Sequence, residues 1–162
     1  MSEAPYITPS REAFLQHAQS GNLIPVYREI LGDFETPLSA YRKIRSDGEA
    51  FLCESVEGGE HLSRYSFVGC NPRGIIRQDG DQVKVVEEGK TTATYTVSRE
   101  PGENHVRDGL EVVEKVLDRY QAVDLPGLPR FTGGAMGFVG YEFIHDVEPV
   151  VPRPPKDELG TP

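Results

Sequence analysis

The chain has 162 residues, with 17 Lys and Arg against 26 Asp and Glu for a net charge of −9. A surface that acidic repels phosphate backbones and anionic lipid, which argues against nucleic acid and membrane surfaces as partners. Hydrophobic residues make up 37%, with 17 glycines and 13 prolines; this composition favours a turn-rich fold with short helices over a helical bundle. No apolar run reaches the roughly 18 residues of a membrane span, and the first residues lack the basic-then-apolar order of a signal peptide. Cys53 and Cys70 are the two cysteines, too few for a disulfide framework or a four-thiolate zinc site, as expected of a reduced cytoplasmic protein.

In chain order, Met1 to Ile7 reads as a loose terminus. Thr8-Pro9 predicts a helix start, with Thr as cap and Pro at the first helical position. Phe14, Leu15 and Ala18 form its stripe and Gly21 its stop. Leu23 to Ile30 reads as a strand, with Pro25 at an edge or start. Thr36-Pro37 repeats the capping device for a helix carrying Leu38, Tyr41 and Ile44, stopped at Asp47-Gly48. Ala50 to Ser55 reads as a buried strand, Val56 to Leu62 as a polar loop, and Arg64 to Gly69 and Gly74 to Gln78 as further strands. Asp79-Gly80 and Glu88-Gly89 predict tight hairpins leading to a strand over Thr91 to Val97, hence a meander. Val106, Leu110, Val113 and Leu117 recur at helical spacing, so Val106 to Tyr120 reads as an amphipathic helix covering the meander. Leu125 to Pro129 breaks the chain, and Phe131 to Tyr141 reads as a glycine-rich strand that another backbone approaches closely. The order of elements predicts an α+β fold with a largely antiparallel sheet or sandwich layer and a few flanking helices. Residues 1–146 are expected to form one domain, and the proline-rich stretch 147–162 a linker in which the chain stops.

The four histidines are spread out, with no His-x-x-x-His or Cys-x-x-Cys pair, which disfavours zinc. The glycines after Phe131 match neither phosphate-binding pattern. No Gly-x-Ser-x-Gly elbow marks a hydrolase, and both cysteines read as small buried hydrophobes. Phe51-Leu-Cys-Glu-Ser55 stands apart, because its apolar run ends abruptly in Glu-Ser. Arg64-Tyr-Ser-Phe67, one loop later, adds a cation, a phenol and a hydroxyl. If the two segments pair side by side, their polar ends converge with mixed charge. That suits a zwitterion, with Glu54 for an ammonium, Arg64 for a carboxylate and Ser55 for either. The same spacing also fits a surface Glu–Arg pair of little energetic weight.

These residues carry a resemblance. Phe51 to Glu60 resembles the Leu-Leu-Glu-Ser-(Val/Ala)-Glu-Gly-Gly-Glu signature of anthranilate synthase component I, and Arg64-Tyr-Ser-Phe67 matches its Arg-Tyr-Ser-Phe element. Gly21 to Ile30 with Thr36-Pro37, and Leu128 to Glu142, are similar to two further blocks. Cys53 and Phe138 depart mildly, replacing a usual Leu and Tyr. The resemblance implies the N-terminal, regulatory half of a larger chorismate-enzyme fold. It also implies an L-tryptophan feedback site lined by Cys53, Glu54 and Ser55, with Arg64 and Tyr65 contributing. It further implies a glutamine amidotransferase partner (component II). The chorismate and Mg²⁺ residues of the family lie beyond this sequence, so the fragment alone is expected to be inactive and to hold no cofactor. Aminodeoxychorismate synthase component I, which shares the fold, and a free-standing amino-acid-binding module are the alternative readings.

Overall fold

A computed structural model describes residues 7–54, 65–148 and 150–152. They form a mixed α+β structure in two compact units, one of Met1–Cys70 with Leu117–Ala135 and one of Asn71–Val116 with Met136–Pro162. The expected fold class is present: the strand pairs are antiparallel, apart from one short parallel addition.

In the first unit, α1 (Arg11–His17) is capped by Ser10, whose hydroxyl accepts the Ala13 N–H at 3.3 Å. This corrects the expected Thr8 cap. Thr8 is instead held in an antiparallel bridge with Tyr27, exchanging bonds of 2.9 and 2.8 Å. The helix ends at Ala18, not at Gly21. Gly21 has a different task, because a Cβ there would collide with the Gln121 carbonyl and the Val123 side chain. That approach lets Asn22 tie two distant segments together: its Oδ1 accepts the Gln121 N–H at 2.6 Å and its Nδ2 donates to the Arg119 carbonyl at 2.8 Å.

The strand expected over Leu23 to Ile30 does not form; Leu23 and Tyr27 make isolated bridges only. The two bridges reach different partners, Leu23 to Ala122 and Tyr27 to Thr8, so no single ladder runs along the segment. The next helix starts where expected but ends at Ile44, with Arg45 already extended, before Asp47-Gly48. α2 (Pro37–Ile44) begins with a reciprocal capping box in which the Thr36 hydroxyl accepts the Ser39 N–H at 3.1 Å and the Ser39 hydroxyl accepts the Thr36 N–H at 2.9 Å. This satisfies two donors that a helix start otherwise leaves to water. β1 (Ala50–Cys53) and β2 (Phe67–Cys70) follow as an antiparallel pair, with α2 against both.

The second unit holds the meander. β3 (Gly74–Asp79), β4 (Gln82–Glu87) and β5 (Lys90–Val97) pair in sequence. Their turns use left-handed backbone where the sequence placed glycine: Gly80 at φ +56°, then Glu88 and Gly89 at +51° and +73°. Two consecutive positive φ angles give a turn whose twist matches the flanking strands. Side chains alternating on β4 bury Val83 and Val85, which join Val106 and Val112 in the core; Ile76, Ala93, Tyr95, Val97 and Val116 pack around them.

The covering helix is shorter than expected, and its apolar stripe is out of phase with the predicted one. α3 (Gly109–Leu117) starts after Val106, which belongs to β6 (His105–Val106), paired parallel to β5. Asp108 sets the start: its Oδ1 accepts the Glu111 N–H at 2.9 Å, while the Glu111 carboxylate accepts the Arg107 N–H at 2.8 Å. The buried face is therefore Val112 with Val116, and Leu110 is left 49% exposed.

Phe131 to Tyr141, expected as a strand, forms bends and irregular chain. Its glycines offer few side chains for a sheet neighbour to grip, and Phe138 is 78% exposed. A 3₁₀ turn (Tyr141–Phe143) and α4 (Ile144–Val147) follow. Met1 to Tyr6, the Ser55 to Arg64 stretch and residues 153–162 lie outside the described residues, and with them most of the predicted terminus, polar loop and linker. No described helix is long and apolar enough to cross a membrane.

Candidate functional site

The candidate site is built on β1 and β2. Phe51-Leu-Cys and Phe67-Val-Gly-Cys are short apolar runs that cannot bury a face alone, so they pair, with Ala50 opposite Cys70, Phe51 opposite Gly69, Leu52 opposite Val68 and Cys53 opposite Phe67. Side chains of directly opposed residues lie on the same face, and that face alternates along each strand. Phe51, Cys53, Phe67 and Gly69 therefore share one face, and Leu52 and Val68 the other. The Phe51 ring fills the space over Gly69: a Cβ at Gly69 would lie 2.6 Å from its Cζ. Glycine at this register position is what lets the ring lie across the ladder.

This pairing brings the two predicted arms together. Cys53–Phe67 is the last registered pair, so Glu54 leaves one strand where Ser66 and Tyr65 enter the other. Glu54 is exposed and Tyr65 is 51% exposed at this mouth. Cys53 corrects an expectation. It is exposed rather than buried, because it closes the strand at the hairpin mouth; Cys70, at the far end of the ladder, is half-buried. The predicted site residues Ser55 and Arg64 lie outside the described residues.

Two aromatic residues that the sequence reading did not assign to the site stand next to it. The Phe67 ring centroid is 6.2 Å from that of Tyr65, at 37° between planes. Phe67 also meets Phe131 edge-on, at 5.2 Å and 85°. The i, i+2 spacing of Tyr65 and Phe67 was a readable signal. Phe131 was masked by its glycine-rich surroundings, which read as a strand.

The described grooves of the second unit are elsewhere. One, of about 460 Å³, is lined by Arg99, Arg107, Asp108, Asp146 and Val147. A second, of about 300 Å³, shares Arg99 and Arg107 and adds Glu100 and His105. Both are open and of mixed charge, and neither includes Cys53, Glu54 or Tyr65. Among the described residues no group of three or more His, Cys, Asp or Glu is placed to hold a metal ion.

No family model and no solved structure matches the chain. Curated relatives do. Anthranilate synthase component 1 of Pseudomonas putida is 41% identical over 157 residues, covering 94% of this chain and 30% of the relative. The Synechocystis sp. protein of the same name is 40% identical over 147 residues, 90% of this chain and 27% of the relative. That of Neisseria meningitidis is 37% identical over 151 residues, 91% and 29% respectively. The aligned stretch takes in nearly the whole chain, both hairpin arms with it, at an identity well above that of chance likeness. The chain is similar to anthranilate synthase component 1 over nearly its whole length and spans about 30% of the length of these relatives.

Proposed function

We propose that this chain is the N-terminal, tryptophan-sensing portion of an anthranilate synthase component I. The full subunit converts chorismate and glutamine-derived ammonia to anthranilate and pyruvate in the cytoplasm, working with an amidotransferase component II. Chorismate and Mg²⁺ are handled by the remaining length of that subunit, so the chain by itself is inactive.

The observation that supports this reading is the β1–β2 register, which leads Glu54 and Tyr65 out of one hairpin mouth. Ser55 follows Glu54 and Arg64 precedes Tyr65 in the sequence, so the stretch of sequence between the two strands carries the hydroxyl and the guanidinium. A carboxylate, a hydroxyl and a guanidinium suit the ammonium and carboxylate of an amino acid, and the Tyr65 and Phe67 rings, which follow the Cys53 face of the ladder, suit its indole. Inhibition then works as a population shift, with tryptophan binding better to a conformation that disfavours closure of the catalytic region.

The test is a full-length component I carrying this sequence, for example its fusion to the remaining length of the Pseudomonas putida relative. Formation of anthranilate from chorismate and ammonia, suppressed by tryptophan, is the expected result. Aminodeoxychorismate as product, or turnover indifferent to tryptophan, contradicts the reading. The chain contains no tryptophan, so with excitation beyond tyrosine absorption, changes in the ligand's indole emission report binding to the isolated chain. Titration is expected not to saturate at millimolar ligand, because part of the pocket belongs to the rest of the subunit.

A further inference from the structure

We propose that Phe131 is a positioning residue of this same site: its ring braces the Tyr65–Phe67 arm and so sets how tightly the hairpin mouth holds an indole. The proposal rests on the tryptophan-sensing reading above. Phe67 links the other two rings: it meets Phe131 edge-on and lies 6.2 Å from the half-exposed Tyr65 ring at the mouth. Edge-to-face pairs at this separation favour one mutual orientation beyond the area they bury. Phe67 is also the cross-strand partner of Cys53, so fixing Phe67 fixes the point where both arms leave the ladder.

Phe131 packs beside Gly134. Gly134 sits at φ +145°, and the Phe131 Cε2 is 3.4 Å from where a Cβ on Gly134 would stand. The ring thus neighbours a backbone position whose conformation L side chains rarely adopt. The segment after Pro129 is thus a backrest for the Tyr65 and Phe67 rings rather than a strand. A ligand that meets a Tyr65 already held in place loses less freedom on binding than one that must order it. Without the Phe131 ring, Phe67 and Tyr65 sample more orientations, and tryptophan bears the cost of ordering them.

The experiment uses full-length component I carrying this sequence, with Phe131→Ala, Phe131→Tyr and, as comparator, Ser55→Phe. Phe131→Ala is expected to raise the half-inhibitory tryptophan concentration by about tenfold, leaving kcat and the KM for chorismate within about twofold of the parent. Phe131→Tyr, which keeps the aromatic edge, is expected to restore parental inhibition. If Ser55→Phe abolishes inhibition and Phe131→Ala is inhibited like the parent, the brace is refuted and the tryptophan site stands. If neither variant shifts inhibition, the tryptophan-sensing reading itself fails. Should the alanine variant not accumulate as folded protein, Phe131→Leu keeps the volume and loses the aromatic edge; parental inhibition in that variant equally refutes the brace.

Discussion

Phe51 and Gly69 face each other across the β1–β2 ladder, and the ring of one occupies the space a side chain on the other would need. The hairpin that positions the candidate site thus depends on the absence of a single methyl group. Gly69→Ala is expected to push the Phe51 ring aside and destabilise the pair by about 1–3 kcal/mol, the usual range for overpacking. Amide hydrogen exchange over residues 50–53 checks this. Faster exchange is expected; unchanged protection shows that the ring relocates freely.

The core of the second unit is four valines, with Val83 and Val112 fully buried. Val112→Ala removes two methyl groups at about 0.8 kcal/mol each and leaves a small cavity, for a loss of roughly 2 kcal/mol. Leu110→Ala, on the exposed side of the same helix, is expected to cost less than about 0.5 kcal/mol from lost burial. Urea unfolding of the two variants distinguishes this phase of the helix from the one in which Leu110 faces inward.

Helical spacing alone cannot tell whether Val106 opens α3 or closes a strand. The deciding facts are the parallel pairing of β6 with β5 and the Asp108 cap, one of them non-local. Two local signals survived intact, since Thr36-Pro37 and Glu88-Gly89 each specify their structure within four residues, whereas the same device at Thr8-Pro9 gave way to a bridge between Thr8 and Tyr27. Leu23 to Ile30 and Phe131 to Tyr141 failed because a strand exists only with a partner, and sequence periodicity does not name one. At the site, adjacency of the two arms was legible from their polar ends, whereas Phe131 joins them through a contact 64 residues distant from Phe67 in the chain.

Asp108 accepts the Glu111 N–H at the start of α3. Asp108→Ala is expected to lower stability by about 1 kcal/mol, and Asp108→Asn, which keeps an acceptor oxygen, by much less. The midpoint of urea unfolding followed by circular dichroism measures the difference. Equal losses in the two variants would place the effect outside the cap.

The carboxyl of Glu111 is held below its ordinary pKa, first by the hydrogen bond from Lys115 Nζ at 2.5 Å and then by the Arg107 backbone N–H. A group whose folded-state pKa is depressed contributes stability above its unfolded value and loses it as pH falls through the folded one. Stability is therefore expected to decline on acidification through and below the usual glutamate range. The decline should be shallower in Glu111→Gln. Parallel pH profiles for parent and variant contradict this linkage.

The most direct measurement of the central claim is the tryptophan response of full-length component I carrying Ser55→Phe. Placing a phenyl ring where Glu54 leads into the loop is predicted to abolish feedback inhibition while uninhibited anthranilate formation stays close to the parent's. Inhibition by tryptophan at the parental concentration would contradict the assignment of this hairpin as the sensor.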